Sequence, residues 1–260
     1  MSFKSFLVLI IFLGLFWSFL IEPNLITIKK LTLKSEDIKG LRIVFVSDFH
    51  LNKMSELRLK RIVNKINKQN PDIVFSGGDY SIGHNPKISM NMQTVAKNLS
   101  KIQAKYGFYT VFGNHDYNKH SNYVKDSFKK YNINILENSN YHILHNNKSL
   151  FVAGISDMQT TYYSLDKALV GTKPPIILIS HSPDITPSAR GKVNLILSGH
   201  THGGQVRVPL YGGIIVPSKY GKRYESGFVE NLVYINRGLG TSILPIRFNC
   251  PPEITVIDYI

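Results

Sequence analysis

The sequence predicts an α/β fold in which helices cover two stacked β-sheets. Short apolar, β-branched runs of the kind that form buried strands alternate with amphipathic helical segments through the first half of the chain. The second half is rich in short strand-like runs. Hydrophobic residues make up 43% and charged residues 18% of the 260 residues, so a sizeable core can form and wholesale disorder is disfavoured.

The predicted elements follow in chain order. A connector and first strand are expected over residues 24–40, and the first buried strand over residues 41–46. A helix over residues 55–67 should keep Arg58 in water and bury five apolar side chains, those of Leu57, Leu59, Ile62, Val63 and Ile66. Further strands are expected at 73–75, 108–112, 141–144, 150–153, 176–179, 195–197, 232–235 and 254–257, with helices at 88–103 and near 122–131.

The N-terminal residues differ in character from the rest of the chain. From Phe6 to Ile21 the chain is apolar except for Gly14 and Ser18. This run is interpreted as an uncleaved transmembrane anchor over residues 1–23. A cleaved signal peptide is the alternative, but no A-x-A-like cleavage site follows the run. After the connector, residues 41–260 are expected to form one domain.

The chain is strongly basic, with 31 Lys and Arg against 17 Asp and Glu, a formal net charge of +14. Such an excess suits an anionic partner, either a phosphate substrate, an acidic lipid surface or nucleic acid, although surface solvation alone can also explain it. Lys29, Lys30 and Lys34 follow the apolar run, so the positive-inside rule favours a cytoplasmic domain behind a single-pass anchor in the cell (inner) membrane. The single cysteine, Cys250, excludes an intramolecular disulfide and a cysteine-based zinc cluster.

Polar residues with metal-binding chemistry come directly after five of the predicted strands. The blocks are Asp48-Phe49-His50, Gly77-Gly78-Asp79, Gly113-Asn114-His115-Asp116, Ser180-His181 and Gly199-His200-Thr201-His202. Loops at one edge of an α/β sheet converge in space even when they are distant in sequence, so these side chains are expected to meet.

The residue types in these blocks indicate the kind of metal. Carboxylate, imidazole and amide ligands without thiolate suit Mn²⁺, Fe or Zn²⁺ in a mixed nitrogen and oxygen site. A lone D-x-H or H-x-H is weak evidence, His115 alone could be a loop histidine, and Asn114 could be a turn residue. Five such blocks, each behind a predicted strand, make chance a poor explanation.

These blocks resemble the calcineurin-like metallophosphoesterase family, and the resemblance covers residues 41–260. The longer run from Gly199 to Gln205, followed by Asn236-Arg237-Gly238-Leu239-Gly240 and Pro251-Pro252-Glu253-Ile254, is similar to a membrane-associated bacterial phosphodiesterase branch. The resemblance implies a four-layer α/β/β/α sandwich with a centre of two divalent metal ions, of which Mn²⁺ is favoured over Fe and Zn²⁺.

The resemblance also implies a role for each residue. One ion would be bound by Asp48, His50 and His202, the other by Asn114, His181 and His200, and Asp79 would bridge them. A hydroxide between the ions would attack phosphorus, His115 would donate a proton or stabilise the transition state, and Asp116 would orient the His115 ring. One departure is that Asp79 is followed by Tyr80-Ser81, which leaves the substrate-side contacts open.

Several substrates remain possible for such a centre. A lipid-linked or nucleotide-linked phosphodiester at the membrane is favoured, and a narrower alternative is UDP-2,3-diacylglucosamine, cleaved by a pyrophosphatase of lipid A synthesis. A protein Ser/Thr phosphatase would use the same centre, but no sequence feature selects it. Nucleic acid is disfavoured because no basic stripe is interleaved with aromatic residues. A scaffold without metals is disfavoured because all seven ligand positions are chemically competent. The oligomeric state is left open.

A few other residues have two readings. Arg237 could line a substrate pocket or form an ordinary ion pair. The remaining histidines, His84, His120, His142 and His145, are expected at the surface rather than at the metal site.

Overall fold

Two six-stranded β-sheets form the centre of the computed structural model, which describes residues 2–82, 87–117 and 121–260. The strands are β1 (Thr27–Leu33), β2 (Arg42–Val46), β3 (Ile73–Ser76), β4 (Phe108–Thr110), β5 (Asn134–Ile135), β6 (Ser139–His145), β7 (Lys148–Gly154), β8 (Ile176–Ile179), β9 (Leu195–Ser198), β10 (Arg207–Val208), β11 (Gly212–Gly213), β12 (Gly227–Val229), β13 (Val233–Ile235) and β14 (Glu253–Tyr259). The first sheet has the order β1-β14-β2-β3-β4-β5 and the second β12-β13-β9-β8-β7-β6, while β10 and β11 form a separate hairpin.

Helices lie on the outer faces of both sheets. These covering helices are α2 (Glu56–Asn67), α3 (Met92–Leu99), α4 (Ser121–Lys130), α5 (Leu165–Ala168) and α6 (Thr186–Ala189), whereas α1 (Phe3–Phe16) precedes the sheets and covers neither. Helices α2, α3 and α4 share an apolar cluster with the first sheet, and α5 and α6 share another with the second sheet. A third cluster fills the space between the sheets. The predicted four-layer α/β/β/α arrangement is therefore confirmed.

The alternation of side chains along β2 explains why the sheet has two buried faces. Val44 and Val46 belong to the cluster under the helices, whereas Ile43 and Phe45 belong to the cluster between the sheets. Successive strand residues point to opposite faces, so a continuous apolar run is required when both faces are covered.

Two details of α2 differ from expectation. Leu57 is 68% exposed rather than buried, because it precedes Leu59 by two residues and so lies about 200° around the helix from the buried side. Arg58 is not in water: it is half-buried, and its guanidinium donates to Asn24 Oδ1 at 3.0 Å and to the carbonyl of Leu239. Burial lowers the pKa of Arg58 to about 10.

The other differences concern short elements and one histidine. Helix α3 is shorter than the predicted 88–103 because Asn91 caps it, accepting from the backbone of Gln93 and Thr94. Strands β5, β10, β11 and β12 have two or three residues each and gave no periodic signal. His142 is exposed as expected, but His145 is buried and its ring contacts the Tyr106 hydroxyl at 3.1 Å. His84 and His120 lie outside the described residues.

The apolar N-terminal run forms a helix whose end contacts the folded domain. The helix continues past α1 through residues 17–24, and Phe3–Asn24 is long and apolar enough to cross a membrane, with a mean hydropathy of 2.3. No residue of α1 is buried, whereas Ser18 and Glu22, which follow α1, are buried. The Glu22 carboxylate accepts from Trp17 Nε1 at 2.7 Å and from the backbone N–H of Cys250.

Candidate active site and metal centre

All five polar blocks meet at one edge of the two sheets. The blocks after β2, β3 and β4 come from the first sheet, and those after β8 and β9 come from the second. The seven predicted metal-binding side chains are brought together there, and Asn114 is the only one of the seven that is not fully buried. The convergence follows from the parallel strands, whose carboxyl ends share an edge.

One group of ligand atoms forms around His50. Its Nε2 atom lies 3.1 Å from His202 Nε2 and 3.5 Å from Asp79 Oδ2, and His202 Nε2 lies 3.6 Å from Asp48 Oδ1. The group Asp48, His50 and His202 satisfies the distances required of residues that could hold one metal ion.

A second group of ligand atoms forms around His181. Its Nε2 atom lies 3.0 Å from Asn114 Oδ1, 3.1 Å from His200 Nδ1 and 3.3 Å from Asp79 Oδ2. The same oxygen of Asp79 therefore faces both groups, as a bridging carboxylate would.

The ligand atoms are arranged for binding metal ions rather than for hydrogen bonding to one another. Two atoms bound to one ion at about 2.0–2.2 Å lie about 3–3.5 Å apart. The spacings in the two groups run from 3.0 to 3.6 Å, close to that range. The Nδ1 atoms of His50 and His202 are buried, and neither has a hydrogen-bond partner among the described residues. When the rings carry their protons there, the two facing Nε2 lone pairs are left for a cation. The cluster is suited to holding two metal ions.

Burial sets the charge of the imidazoles. Desolvation lowers the pKa of His50 to about 4 and that of His200 to about 4, and it also lowers the pKa of His202. Neutral rings offer nitrogen lone pairs to a cation. Burial also opposes charge on His181, but the Asp79 carboxylate outweighs it and raises the pKa of His181 to about 10. The carboxylates thus favour positive charge in the site, and a divalent cation would supply that charge.

Hydrogen bonds behind two of the rings set which nitrogen faces the site. His181 Nδ1 lies 2.8 Å from the carbonyl of Gly77, so Nδ1 carries a proton and Nε2 is the nitrogen that faces the ligand group. The Nε2 atom of His200 lies 3.0 Å from the side-chain amide of Gln159, which leaves Nδ1 facing the ligand group. Gln159 was not identified from the sequence, because it lies on a loop outside any of the five blocks.

The backbone under these ligands is strained. The φ angles are 53° at Asp48, 44° at His50, 57° at Asp79, 70° at His200 and 53° at His202. Left-handed conformations at non-glycine residues cost about 1–3 kcal/mol each and persist only where the surroundings impose them. These conformations therefore lower the stability of the fold, but they orient the five side chains toward the same site.

Two glycines of the blocks are required by close approach. A Cβ atom at Gly113 would lie 2.2 Å from Asp79 Oδ1 and 2.6 Å from the His181 ring. At Gly199 it would lie 2.2 Å from Asp48 Oδ2. Any larger residue would displace a ligand side chain.

The Asp116 carboxylate holds the loop that carries Asp79. Its oxygens accept the backbone N–H groups of Asp79 at 2.8 Å, Gly113 at 3.1 Å, Tyr80 at 2.9 Å and Ser81 at 3.2 Å. These contacts support a structural role for Asp116, whereas its orientation of the His115 ring stays a prediction.

The His115 ring lies beside the first ligand group. Its centroid is 4.8 Å from that of His50 in an edge-on arrangement, and its backbone N–H donates to Asp79 Oδ1 at 2.9 Å. Tyr80, which departs from the family pattern, is buried and its hydroxyl bonds to Ser76 and Thr110. It is a core residue beneath the site.

The loop at 236–250 supports the site from the other side. Arg247 is fully buried and donates to four backbone carbonyls within that loop, including that of Gly240. The Gly240 N–H in turn donates to the Asp48 carbonyl at 2.6 Å. Arg237 forms an ion pair with Glu253 at 2.7 Å, so the ion-pair reading of this residue is correct.

Comparison with known proteins agrees with this geometry. Residues 41–204 match the calcineurin-like phosphoesterase family. The metallophosphoesterase YkuE of Bacillus subtilis (strain 168) is 34% identical over 249 residues, which cover 91% of this chain and 86% of that protein. Phosphodiesterase YaeI of Escherichia coli (strain K12) is 29% identical over 239 residues, covering 89% and 86%. UDP-2,3-diacylglucosamine pyrophosphatase LpxG of Chlamydia muridarum (strain MoPn / Nigg) is 25% identical over 304 residues, covering 93% and 91%.

The fold, the converging ligand atoms and these relatives define a metal-dependent phosphoester hydrolase. The family match spans more than half of the chain, and YkuE aligns over nearly all of it. The chain belongs to the calcineurin-like phosphoesterase family.

Proposed function

We propose that the chain hydrolyses a lipid-linked or nucleotide-linked phosphodiester at a membrane surface with two divalent metal ions. The observation that carries the reaction is the pair of ligand groups that share Asp79 Oδ2. Asp48, His50 and His202 would hold one ion, and Asn114, His181 and His200 the other. Mn²⁺ suits this mixed set of carboxylate, imidazole and amide ligands, with Fe or Zn²⁺ as alternatives.

The residues of the chain prepare the reaction in three ways. When bound, the two ions would activate water and neutralise charge on the phosphoryl oxygens. Burial favours the neutral form of His50, His200 and His202. The Gly77 carbonyl and the Gln159 side chain orient the rings of His181 and His200. The half-buried ring of His115 lies beside the His50 ring, where it could give a proton to the leaving oxygen.

The preference for a membrane substrate rests on the N-terminal helix and on charge. Phe3–Asn24 has the length and composition of a membrane span, and a net charge of +14 favours anionic headgroups. The likeness to LpxG supports UDP-2,3-diacylglucosamine as a specific candidate. We propose a single-pass protein of the inner membrane with its domain on the cytoplasmic side, as Lys29, Lys30 and Lys34 favour.

A substrate panel on one preparation of the full chain tests this proposal. Bis-nitrophenyl phosphate, mono-nitrophenyl phosphate, UDP-2,3-diacylglucosamine and a phosphopeptide would be compared after reconstitution with Mn²⁺. We expect the diesters to be cleaved faster than the monoester and the phosphopeptide. Preference for the phosphopeptide would overturn the proposal in favour of protein dephosphorylation.

Replacing His115 by alanine should separate proton transfer from metal binding. We expect turnover to fall about 10²–10⁴-fold, since this is the usual contribution of a positioned general acid. Metal content should stay unchanged, because the His115 side chain lies outside both proposed ligand sets. Elemental analysis alongside kinetics checks both, and a variant that loses metal, or one that keeps its full rate, would contradict the assignment.

A further inference from the structure

Two exposed apolar segments lie close to each other, and the second of them is bonded to the end of the N-terminal helix. The first is the hairpin segment, residues 208–215, in which Leu210 is fully exposed and Tyr211, Ile214 and Ile215 are also exposed. The second is the loop segment, residues 243–248, in which Ile243 is 94% exposed. Apolar surface of this extent on a folded domain marks a binding surface.

The two segments form one surface because they are bonded to each other. The Arg207 N–H donates to the Phe248 carbonyl at 2.9 Å, and the Phe248 N–H donates to the Gln205 carbonyl at 3.1 Å. The Gln205 side-chain amide donates to the Leu244 carbonyl at 3.0 Å. Residues 205–207 therefore join the hairpin segment to the loop segment.

The same surface is attached to the N-terminal helix and to the metal centre. The Arg247 N–H donates to the Ser18 carbonyl at 3.0 Å, which fixes the loop segment against the end of the helix. The hairpin segment begins a few residues after the proposed ligand His202, and the Arg247 side chain supports the loop that contacts Asp48.

The length of the helix sets where this surface must lie. Helix α1 has 14 residues and rises only about 21 Å, whereas the hydrocarbon core of a bilayer is about 30 Å thick. To cross it, the apolar residues from Trp17 to Ile21 must also lie in hydrocarbon. Ser18 within this stretch is buried and bonded to Arg247, so the part of the domain around Arg247 must reach the bilayer.

We propose that the hairpin and loop segments are immersed in the same lipid bilayer that the N-terminal helix crosses, which holds the opening of the metal centre at the headgroup level. The inference rests on the membrane location in the proposed function. Lys219 and Lys222 follow the hairpin and are exposed, and Lys222 Nζ donates to the Tyr211 carbonyl at 2.8 Å. These cations would contact anionic headgroups while the apolar side chains enter the acyl region.

Fluorescence quenching in vesicles tests the immersion directly. The full chain would be reconstituted in phosphatidylethanolamine and phosphatidylglycerol vesicles as Leu210→Cys, Ile243→Cys or the control Val170→Cys, and labelled with an environment-sensitive dye. Val170 is 71% exposed and lies just after α5, and the native Cys250 is buried, so unsubstituted protein reports background labelling. We expect lipids with a shallow doxyl group to quench the dyes at 210 and 243 at least threefold more than the dye at 170, and aqueous iodide to show the reverse order.

Equal quenching at all three positions would overturn the proposal. Protection of the dyes at 210 and 243 from both quenchers would also overturn it, in favour of a second copy of the chain covering the surface. The readout needs no substrate, so a lipid-immersed surface on an enzyme that ignores lipid-linked substrates would refute the proposed substrate alone.

Discussion

Asp79→Asn is expected to lower turnover by about 10³-fold or more and to reduce bound metal from about two ions per chain to fewer than one. Asp79 Oδ2 lies within 3.5 Å of His50 Nε2 and within 3.3 Å of His181 Nε2, so one oxygen serves both proposed ion sites. An asparagine keeps the shape but removes the charge. Two-metal centres contribute several kcal/mol to transition-state stabilisation, which corresponds to a change of this size.

The matched control for Asp79→Asn is Asp166→Asn. The substitution Asp166→Asn makes the same chemical change at an exposed position, where the carboxylate lies 3.7 Å from Lys192 Nζ. Metal content by elemental analysis and hydrolysis of bis-nitrophenyl phosphate should be unchanged in the control. Retention of two ions in Asp79→Asn would show that Asp79 does not bridge them, and full activity after removal of all metal would refute the two-metal proposal itself.

The convergence of Asp79 with residues such as His200 could be predicted from the sequence, because buried strands are easy to recognise in it. Short apolar runs mark buried strands, and parallel strands bring their carboxyl ends to one edge. Gln159 could not be found in this way. It contacts His200 through a loop whose path depends on tertiary packing, and neither its residue type nor its neighbours indicate that contact.

Residues at the end of the N-terminal helix show a second limit of sequence patterns. Ser18 and Glu22 lie in or beside an apolar run, and composition alone assigns them to the anchor. In the structure both are buried against residues more than 200 positions away in the chain. Arg58 is a similar case. A basic residue on an amphipathic helix is normally solvated, but here the loop that contains Leu239 contacts its guanidinium.

These contacts predict that two N-terminal deletions will have different outcomes. Removing residues 2–13 should leave a folded domain that hydrolyses bis-nitrophenyl phosphate within about threefold of the full chain, because the contacts from Trp17 onward are kept. The apolar run that remains is too short to cross a bilayer, which needs about 17–25 residues. Removing residues 2–23 deletes Ser18 and Glu22 as well, and leaves the buried N–H groups of Arg247 and Cys250 without these acceptors.

Each buried polar group left unsatisfied costs about 1–3 kcal/mol, so the loss of two acceptors should lower the free energy of unfolding by about 2–6 kcal/mol. For a chain of this size the melting temperature should fall by about 4–24 °C relative to the shorter deletion. Activity should fall too, because Arg247 supports the loop whose Gly240 N–H bonds to Asp48.

Glu22→Gln in the full chain, with Glu36→Gln at an exposed position as its control, isolates the carboxylate from the rest of the segment. If both deletions melt at the same temperature and retain equal activity, the domain boundary lies at residue 23 and the end of the helix is dispensable to the site.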